Sequence, residues 1–179
     1  MNIVVVYTSK YGSTEKYAHW IAEALGCNAK KLSEVSSKDL LMYDVIIYGG
    51  GLYASGISGF KKFLKILGTA DNKTLALYMV GLTNPEEQGA YTEIADKNIP
   101  PEWKNRFEIF AFRGDQQFSR MSALHKIMMR VPKSMAEKKP PEQRTEEDRM
   151  FIENFGEDLF FSNKAYILPL VEYIKNTTI

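Results

Sequence analysis

Thr8-Ser9-Lys10-Tyr11-Gly12-Ser13-Thr14 is the stretch that decides how the chain of 179 residues is read. Just ahead of it, Ile3-Val4-Val5-Val6-Tyr7 is an unbroken β-rich apolar run, the pattern of a strand covered on both faces. Just behind it, Glu15 to Leu25 reads as a helix, with Ala18, Ile21, Ala22 and Leu25 on one face and Gly26 at the C-terminal cap. A loop of hydroxyls with one glycine therefore joins a central strand to a helix N-terminus. That end of a helix presents backbone N–H groups and the positive pole of the macrodipole. Hydroxyls and amides converging there can hold a phosphate with little help from arginine.

Further along, buried-strand patterns recur at Asp44–Tyr48, Thr74–Val80 and Phe107–Phe112, with a more modest, lysine-bearing edge strand over Asn28–Val35. Helical patterns separate them. Phe60, Phe63, Leu64 and Leu67 mark one, and Asn84-Pro85-Glu86-Glu87 is a helix start running to about Lys97. The second strong strand runs into Gly49-Gly50-Gly51-Leu52-Tyr53-Ala54-Ser55-Gly56-Ile57-Ser58-Gly59, read as a glycine loop that lets a ligand approach the backbone. Five strands alternating with helices predict an α/β doubly wound parallel sheet. In the order 2-1-3-4-5 the winding reverses between strands one and three, and ligands sit at their carboxyl ends. The hydroxyl loop and the glycine loop follow those two strands.

Ser9-Lys10-Tyr11-Gly12-Ser13-Thr14 resembles the phosphate loop of flavodoxins, Thr/Ser-x-Thr/Tyr-Gly-x-Thr, in its expected place after the first strand. The resemblance spans about Met1 to Leu159 and implies a flavodoxin-like sheet and an FMN cofactor. It implies that Ser9, Lys10, Tyr11, Gly12, Ser13 and Thr14 hold the phosphate. Gly50, Gly51, Leu52, Tyr53, Ala54 and Gly56 would run beside one face of the isoalloxazine, with Gly51 near N5 and Tyr53 able to stack. Gly81, Leu82, Thr83 and Asn84 would follow the other side and the pyrimidine edge. Electron-shuttle flavodoxins are usually acidic and flank the ring with two aromatics. Here the third loop has none, and the first contains Lys10. Less negative charge near a reduced flavin makes its reduction easier.

Fold-like cues of other kinds are weaker. Gly49-x-Gly51-x-x-Ala54 matches a loose dinucleotide fingerprint, but outside the first βα turn where that motif works, and no acid ends the following strand. There is no Gly-x-x-x-x-Gly-Lys-Ser/Thr loop. One cysteine, Cys27, and two histidines, His19 and His125, give no spacing for a metal centre or nucleophile triad. The net charge of +1 provides no drive toward nucleic acid. The apolar runs fall well short of the roughly 20 residues of a membrane span. The early first strand leaves no room for a signal peptide, and a cytoplasmic setting is expected.

After the fifth strand an insertion is expected over 114–144, and a C-terminal extension over 163–179, within one domain. From Arg113 to Arg144 there are eight basic and three acidic residues; from Thr145 onward, three basic and seven acidic. Met121, Leu124, Met128 and Val131 share one helical face. That face either packs on its own domain or meets an apolar substrate, a lipid surface or a partner. Thr145 with Asp148 reads as a capping box opening the last sheet-covering helix, with Ile152, Phe155 and Leu159 buried. A basic, apolar-rich insertion at this place is similar to that of flavodoxin-domain proteins of the menaquinone-dependent protoporphyrinogen dehydrogenase type, although their run of aromatics is missing. The chain is thus read as an FMN electron-transfer protein, an FMN oxidoreductase acting on a quinone or porphyrinogen, or a cofactor-free module of the same fold. Its expected partners are a redox protein or a small-molecule quinone, with peripheral membrane contact through 116–139 and a homodimer both open.

Overall fold

Val4, Val5 and Val6 are fully buried, because the strand that carries them is covered on both faces. This strand is β1 (Ile3–Thr8). The computed structural model describes residues 1–53, 56–70, 72–86 and 88–177. In chain order there follow α1 (Ser13–Leu25), β2 (Asn28–Lys31), α2 (Ser37–Leu41) and β3 (Val45–Tyr53). Next come β4 (Gly56–Ile57), α3 (Phe60–Leu67), β5 (Thr74–Gly81), α4 (Gln88–Asn98) and β6 (Glu108–Arg113). β7 (Gln116–Gln117), α5 (Ala123–Lys138), α6 (Glu146–Glu153), β8 (Asp158–Leu159) and α7 (Leu168–Thr177) complete the chain.

Five strands form a parallel sheet in the order β2-β1-β3-β5-β6, the doubly wound flavodoxin-like arrangement. Side chains alternate across it. Val4, Val6, Ile46, Tyr48, Leu77 and Met79 join Phe60, Phe63, Leu64 and Leu67 of α3 in one core. Val5, Tyr7, Ile47, Tyr78 and Phe112 join Tyr17 and Ile21 of α1, and Leu170, Val171 and Ile174 of α7, in the other. Gly26 closes α1 in the left-handed region, and the Cys27 amide donates back to the Ala22 carbonyl at 2.9 Å.

Three expectations need correction. The glycine run is not a loop from Gly49 onward. β3 continues through it to Tyr53, with Gly49 and Gly50 paired to Tyr7 and Thr8 on one side and Gly49–Gly51 to Tyr78–Val80 on the other. Strong neighbours on both sides override the poor strand propensity of glycine. Asn84 does accept from the Glu86 amide (3.2 Å), but this closes a turn; the described helix is Gln88–Asn98, and Glu87 lies outside the described residues. Finally, the Thr145–Asp148 capping box forms in both directions, yet the helix it opens ends at Glu153 and Leu159 lies in β8. The last helix on the sheet is α7. Pro169 is compatible with it because it stands in the first turn, where a missing N–H costs no helical bond.

The chain divides into two compact units. One comprises Met1–Gly114 and the chain from Ser162 onward; the other is Asp115–Phe161. In the second, β7 and β8 pair antiparallel, and Asp158 accepts from the Ser119 amide (2.8 Å) and hydroxyl (2.6 Å). Phe118, Phe151 and Phe155 form edge-on ring contacts, and Lys139 pairs with Asp148 at 2.6 Å. α5 passes through Pro132 without ending there. Pro132 and Met128 are both exposed, so water can take the carbonyl that the proline leaves without a helical partner.

The tightest requirement in the sheet is at Gly49. A Cβ there would fall 1.9 Å from Cζ of Tyr78. Gly49→Ala should therefore displace the Tyr78 ring and destabilise the protein by about 1–3 kcal/mol, as overpacked cores do. Urea unfolding checks this; a midpoint equal to wild type would mean that Tyr78 does not need that space.

Candidate functional site

The first loop starts where β1 ends. Gly12 has φ +101° and occupies the N-cap of α1, a left-handed position that favours glycine, and no side chain caps the helix. The Ser9 hydroxyl accepts from the Gly12 amide at 3.1 Å, and the Lys16 amide returns to the Gly12 carbonyl at 2.8 Å. Ser13 and Thr14 are buried, Ser9, Tyr11 and Gly12 are half-buried, and Lys10 is exposed. Residues 8–14 contain no acid. The loop therefore combines hydroxyls, backbone donors and one cation at a positive helix terminus, a donor set that suits a dianion.

Buried phenols hold this loop in place. Tyr78 of β5 crosses over Gly49 and donates to the Thr14 carbonyl at 3.0 Å. Tyr17 donates to the Arg113 carbonyl at 2.6 Å and accepts from the Asn163 amide at 3.1 Å. On the opposite face of the sheet, Tyr48 donates to the Ser58 carbonyl at 2.6 Å. Its single hydrogen is thereby used, so in the 2.9 Å contact with Thr8 the threonine hydroxyl is the donor. Burial pushes the Tyr48 and Tyr78 phenols well above the usual range, which keeps both protonated as donors.

The second loop meets the first, and the third meets the second. A Cβ on Gly51 would lie 3.2 Å from the Thr14 hydroxyl oxygen, and one on Gly114 would lie 3.3 Å from Cβ of Ser13. The Tyr53 ring stands 6.2 Å from that of Tyr11, with Lys10 Nζ 5.9 Å from the Tyr53 centroid and 5.8 Å from the Tyr11 centroid. Burial, then the neighbouring Tyr11, push the Tyr53 phenol up to about 12. Leu52 reaches Gly81, where an added Cβ would be 3.1 Å from its Cδ1. Gly50 sits within β3, and Gly56 pairs with Tyr53 in the short β3–β4 hairpin. The Gly114 amide donates to the Gly81 carbonyl (2.7 Å), Arg113 Nε to the Leu82 carbonyl (3.0 Å) and the Tyr91 hydroxyl to the Thr83 carbonyl (2.7 Å). Ala54 lies outside the described residues.

The other residues expected to line the FMN site thus stand on three neighbouring segments at the carboxyl ends of β1, β3 and β5. Sequence reasoning missed the residues that fasten them: Tyr17, Tyr48, Tyr78, Tyr91 and Arg113. A phenol near the end of an otherwise aliphatic strand, as at Tyr48 and Tyr78, is the signal that could have found two of these. A cleft of about 260 Å³ lies beside the first loop, lined by Tyr7, Thr8, Ser9, Lys31, Leu32, Ser33, Gly59 and Lys62. It shares only Ser9 with the expected set. Among the described residues no acid, histidine and cysteine cluster could hold a metal ion, and burial pushes the Cys27 thiol up to about 11.

A family model of the flavodoxin domain matches residues 4–143, and the chain belongs to that family. Among solved structures, an archaeal flavodoxin is 20% identical with a TM-score of 0.43, covering 54% of this chain and 74% of its own. Oxidised Flavodoxin 1 from Bacillus cereus is 18% identical with a TM-score of 0.46, covering 63% and 84%. A flavodoxin from Streptococcus pneumoniae TIGR4 is 19% identical with a TM-score of 0.46, covering 63% and 82%. No curated protein matches the chain.

Tyr7 at the end of β1 donates to Glu15 in the first turn of α1 at 2.7 Å. This bond is the main reason why the Glu15 carboxyl lies below its ordinary 4.5, with Lys31 assisting. A depressed carboxyl adds stability above its ordinary value and loses it as pH falls through the folded value. Tyr7→Phe should move the Glu15 titration upward in an NMR experiment. The stability gap between variant and wild type should be widest above pH 4.5 and should shrink below it; a gap constant across that range would refute the assignment.

Proposed function

We propose that this protein binds FMN at the carboxyl ends of β1, β3 and β5 and uses it to transfer electrons. One observation carries the reading. A left-handed Gly12 opens α1 without a side-chain cap, and the buried Thr14 of that turn stands directly against Gly51 of the neighbouring strand. Flavodoxin-domain proteins typically bind FMN. The residues present fit such a group: hydroxyls and amides of residues 9–14 suit its phosphate, and Tyr53 with Tyr11 and Leu52 supplies an aromatic, partly apolar flank.

When bound, the flavin supplies the redox chemistry, accepting and returning electrons. The chain's own contribution is binding and tuning. Ser9, Ser13 and Thr14 would hold the phosphate, and Lys10 adds one cation to the same loop. The phenols of Tyr78 and Tyr17 fix the backbone around that loop, so that no reorganisation is needed when charge changes. Leu82, Thr83 and Asn84 present backbone at the far side, held by Arg113 and Tyr91. Lys10 over both tyrosine rings favours a more negative reduced cofactor.

A second reading is an FMN-dependent oxidoreductase of the quinone-reductase or protoporphyrinogen-dehydrogenase type. The observation that favours it is the separate unit Asp115–Phe161, whose helix α5 displays large apolar side chains. Turnover with menaquinone and with protoporphyrinogen distinguishes the two readings.

Titration of the purified protein with FMN, followed by absorbance and fluorescence quenching, tests the main proposal. Ser9→Glu should weaken FMN binding by about a hundredfold or more, since it sets a carboxylate against a phosphate in a partly desolvated site. Ser9→Ala should keep most of the affinity and serves as the folding control. Equal affinity in Ser9→Glu would place the phosphate elsewhere, and no FMN binding by the wild type would favour the cofactor-free module.

A further inference from the structure

We infer that α5 is a surface-binding helix that lies on an anionic lipid membrane. Leu124, Ile127, Met128, Val131 and Met135 follow one another at helical spacing and are 65, 58, 41, 61 and 65% exposed. They form a single stripe about 16 Å long. The opposite side of the helix is turned toward its own unit. Ala136 is buried, Met129 is half-buried, and the Lys126 and Lys133 ammonium groups rest 5.4 and 4.6 Å from the centroids of the Phe118 and Phe155 rings. The usual arrangement, apolar side in and charged side out, is reversed.

The charge around the stripe selects the occupant. On α5 the exposed cations are Arg130 and Lys138, while Lys126 and Lys133 lie on the inner side and the one acid, Glu137, is paired with Lys133 at 3.4 Å. Arg120 adds a further exposed cation ahead of the helix, whereas Lys139 behind it is paired with Asp148. Two such helices placed face to face would set like charges against each other, so a second copy is disfavoured. An anionic lipid surface attracts the same charges and accepts the apolar stripe without an ordered partner. At 16 residues and amphipathic, the helix is too short and too charged to cross a bilayer, which fits a position in the interface plane. The inference does not rest on the flavin reading, because membrane contact is a property of the Asp115–Phe161 unit.

Co-sedimentation of the full chain with phosphatidylcholine vesicles, with and without phosphatidylglycerol, tests it, scored by protein in the pellet and by flavin absorbance separately. The wild type should pellet with the anionic vesicles, less with the neutral ones, and less at higher salt. Ile127→Asp with Val131→Asp changes only exposed positions, and pelleting should be lost while circular dichroism stays native. Arg130→Glu with Lys138→Glu should reduce pelleting on anionic vesicles alone. Failure of the wild type to pellet with either vesicle, or pelleting unchanged by the aspartate pair, would overturn the inference. So would a dimer in sedimentation velocity that the aspartate pair dissociates in the absence of vesicle binding, because a second copy would then cover the stripe.

Discussion

A phenol can reach across a strand only where the strand has no side chain. That constraint at Gly49 organises the upper end of the sheet. Tyr78 stacks on Phe112, lies across Gly49 and delivers its hydroxyl to the Thr14 carbonyl. On the other face Tyr48 reaches past Gly59, the N-cap of α3, where a Cβ would fall 2.5 Å from its hydroxyl oxygen. A single such hydrogen bond contributes only about 1 kcal/mol net, but leaving a buried hydroxyl or carbonyl unpaired costs about 1–3 kcal/mol. No buried side-chain nitrogen or oxygen among the described residues lacks a partner. The loops therefore sit where polar satisfaction puts them, and these hydrogen bonds set their mutual spacing.

Topology then decides what these fixed loops can form together. β1 feeds α1, which packs with Val5, Tyr7 and Ile47; β3 leads to α3, which packs with Val4, Val6 and Ile46. The two helices depart to opposite faces from neighbouring strands, and the crevice between their N-termini is the place where such sheets take ligands. The Thr14 and Leu52 side chains can approach the backbone there because Gly51 and Gly81 carry no Cβ. Lys10 adds one positive charge at the rim.

Much of this was legible in the sequence, for definite reasons. Buried parallel strands need continuous apolar runs, and Ile3–Tyr7, Asp44–Tyr48, Thr74–Val80 and Phe107–Phe112 supply them. The turn at Gly12 and the cap at Gly26 are marked by the residue that left-handed backbone favours. Other features are set by partners that lie far away in the chain. Gly49–Tyr53 forms strand because Tyr7, Thr8 and Tyr78–Val80 pair with it, which glycine propensity does not announce. The Thr145–Asp148 box records a helix start but not what the helix covers. Lys164–Lys175 reads as an appendage from the proline at 169, and only packing assigns Leu170, Val171 and Ile174 to the core. The phenols of Tyr17 and Tyr91 act over separations of 96 and 8 residues, and no local pattern distinguishes them from ordinary core tyrosines.

Periodicity likewise identifies a helix face without saying which way it points. The stripe of α5 is as regular as those of α1 and α3, whose apolar residues are buried. Fully burying a large aliphatic side chain is worth about 1.5–3 kcal/mol, and α5 leaves five of them outside. Its inner contacts, lysines lying on phenylalanine rings, are individually weaker, about 0.5–1 kcal/mol at exposed sites. A helix governed only by the stability of its own unit would turn over and bury the stripe. That it does not is physically consistent with an orientation held by the Lys139–Asp148 pair, the Thr145 cap and the Phe118–Phe155 cluster. These contacts fasten the polar side of α5 inward and keep its apolar side outward.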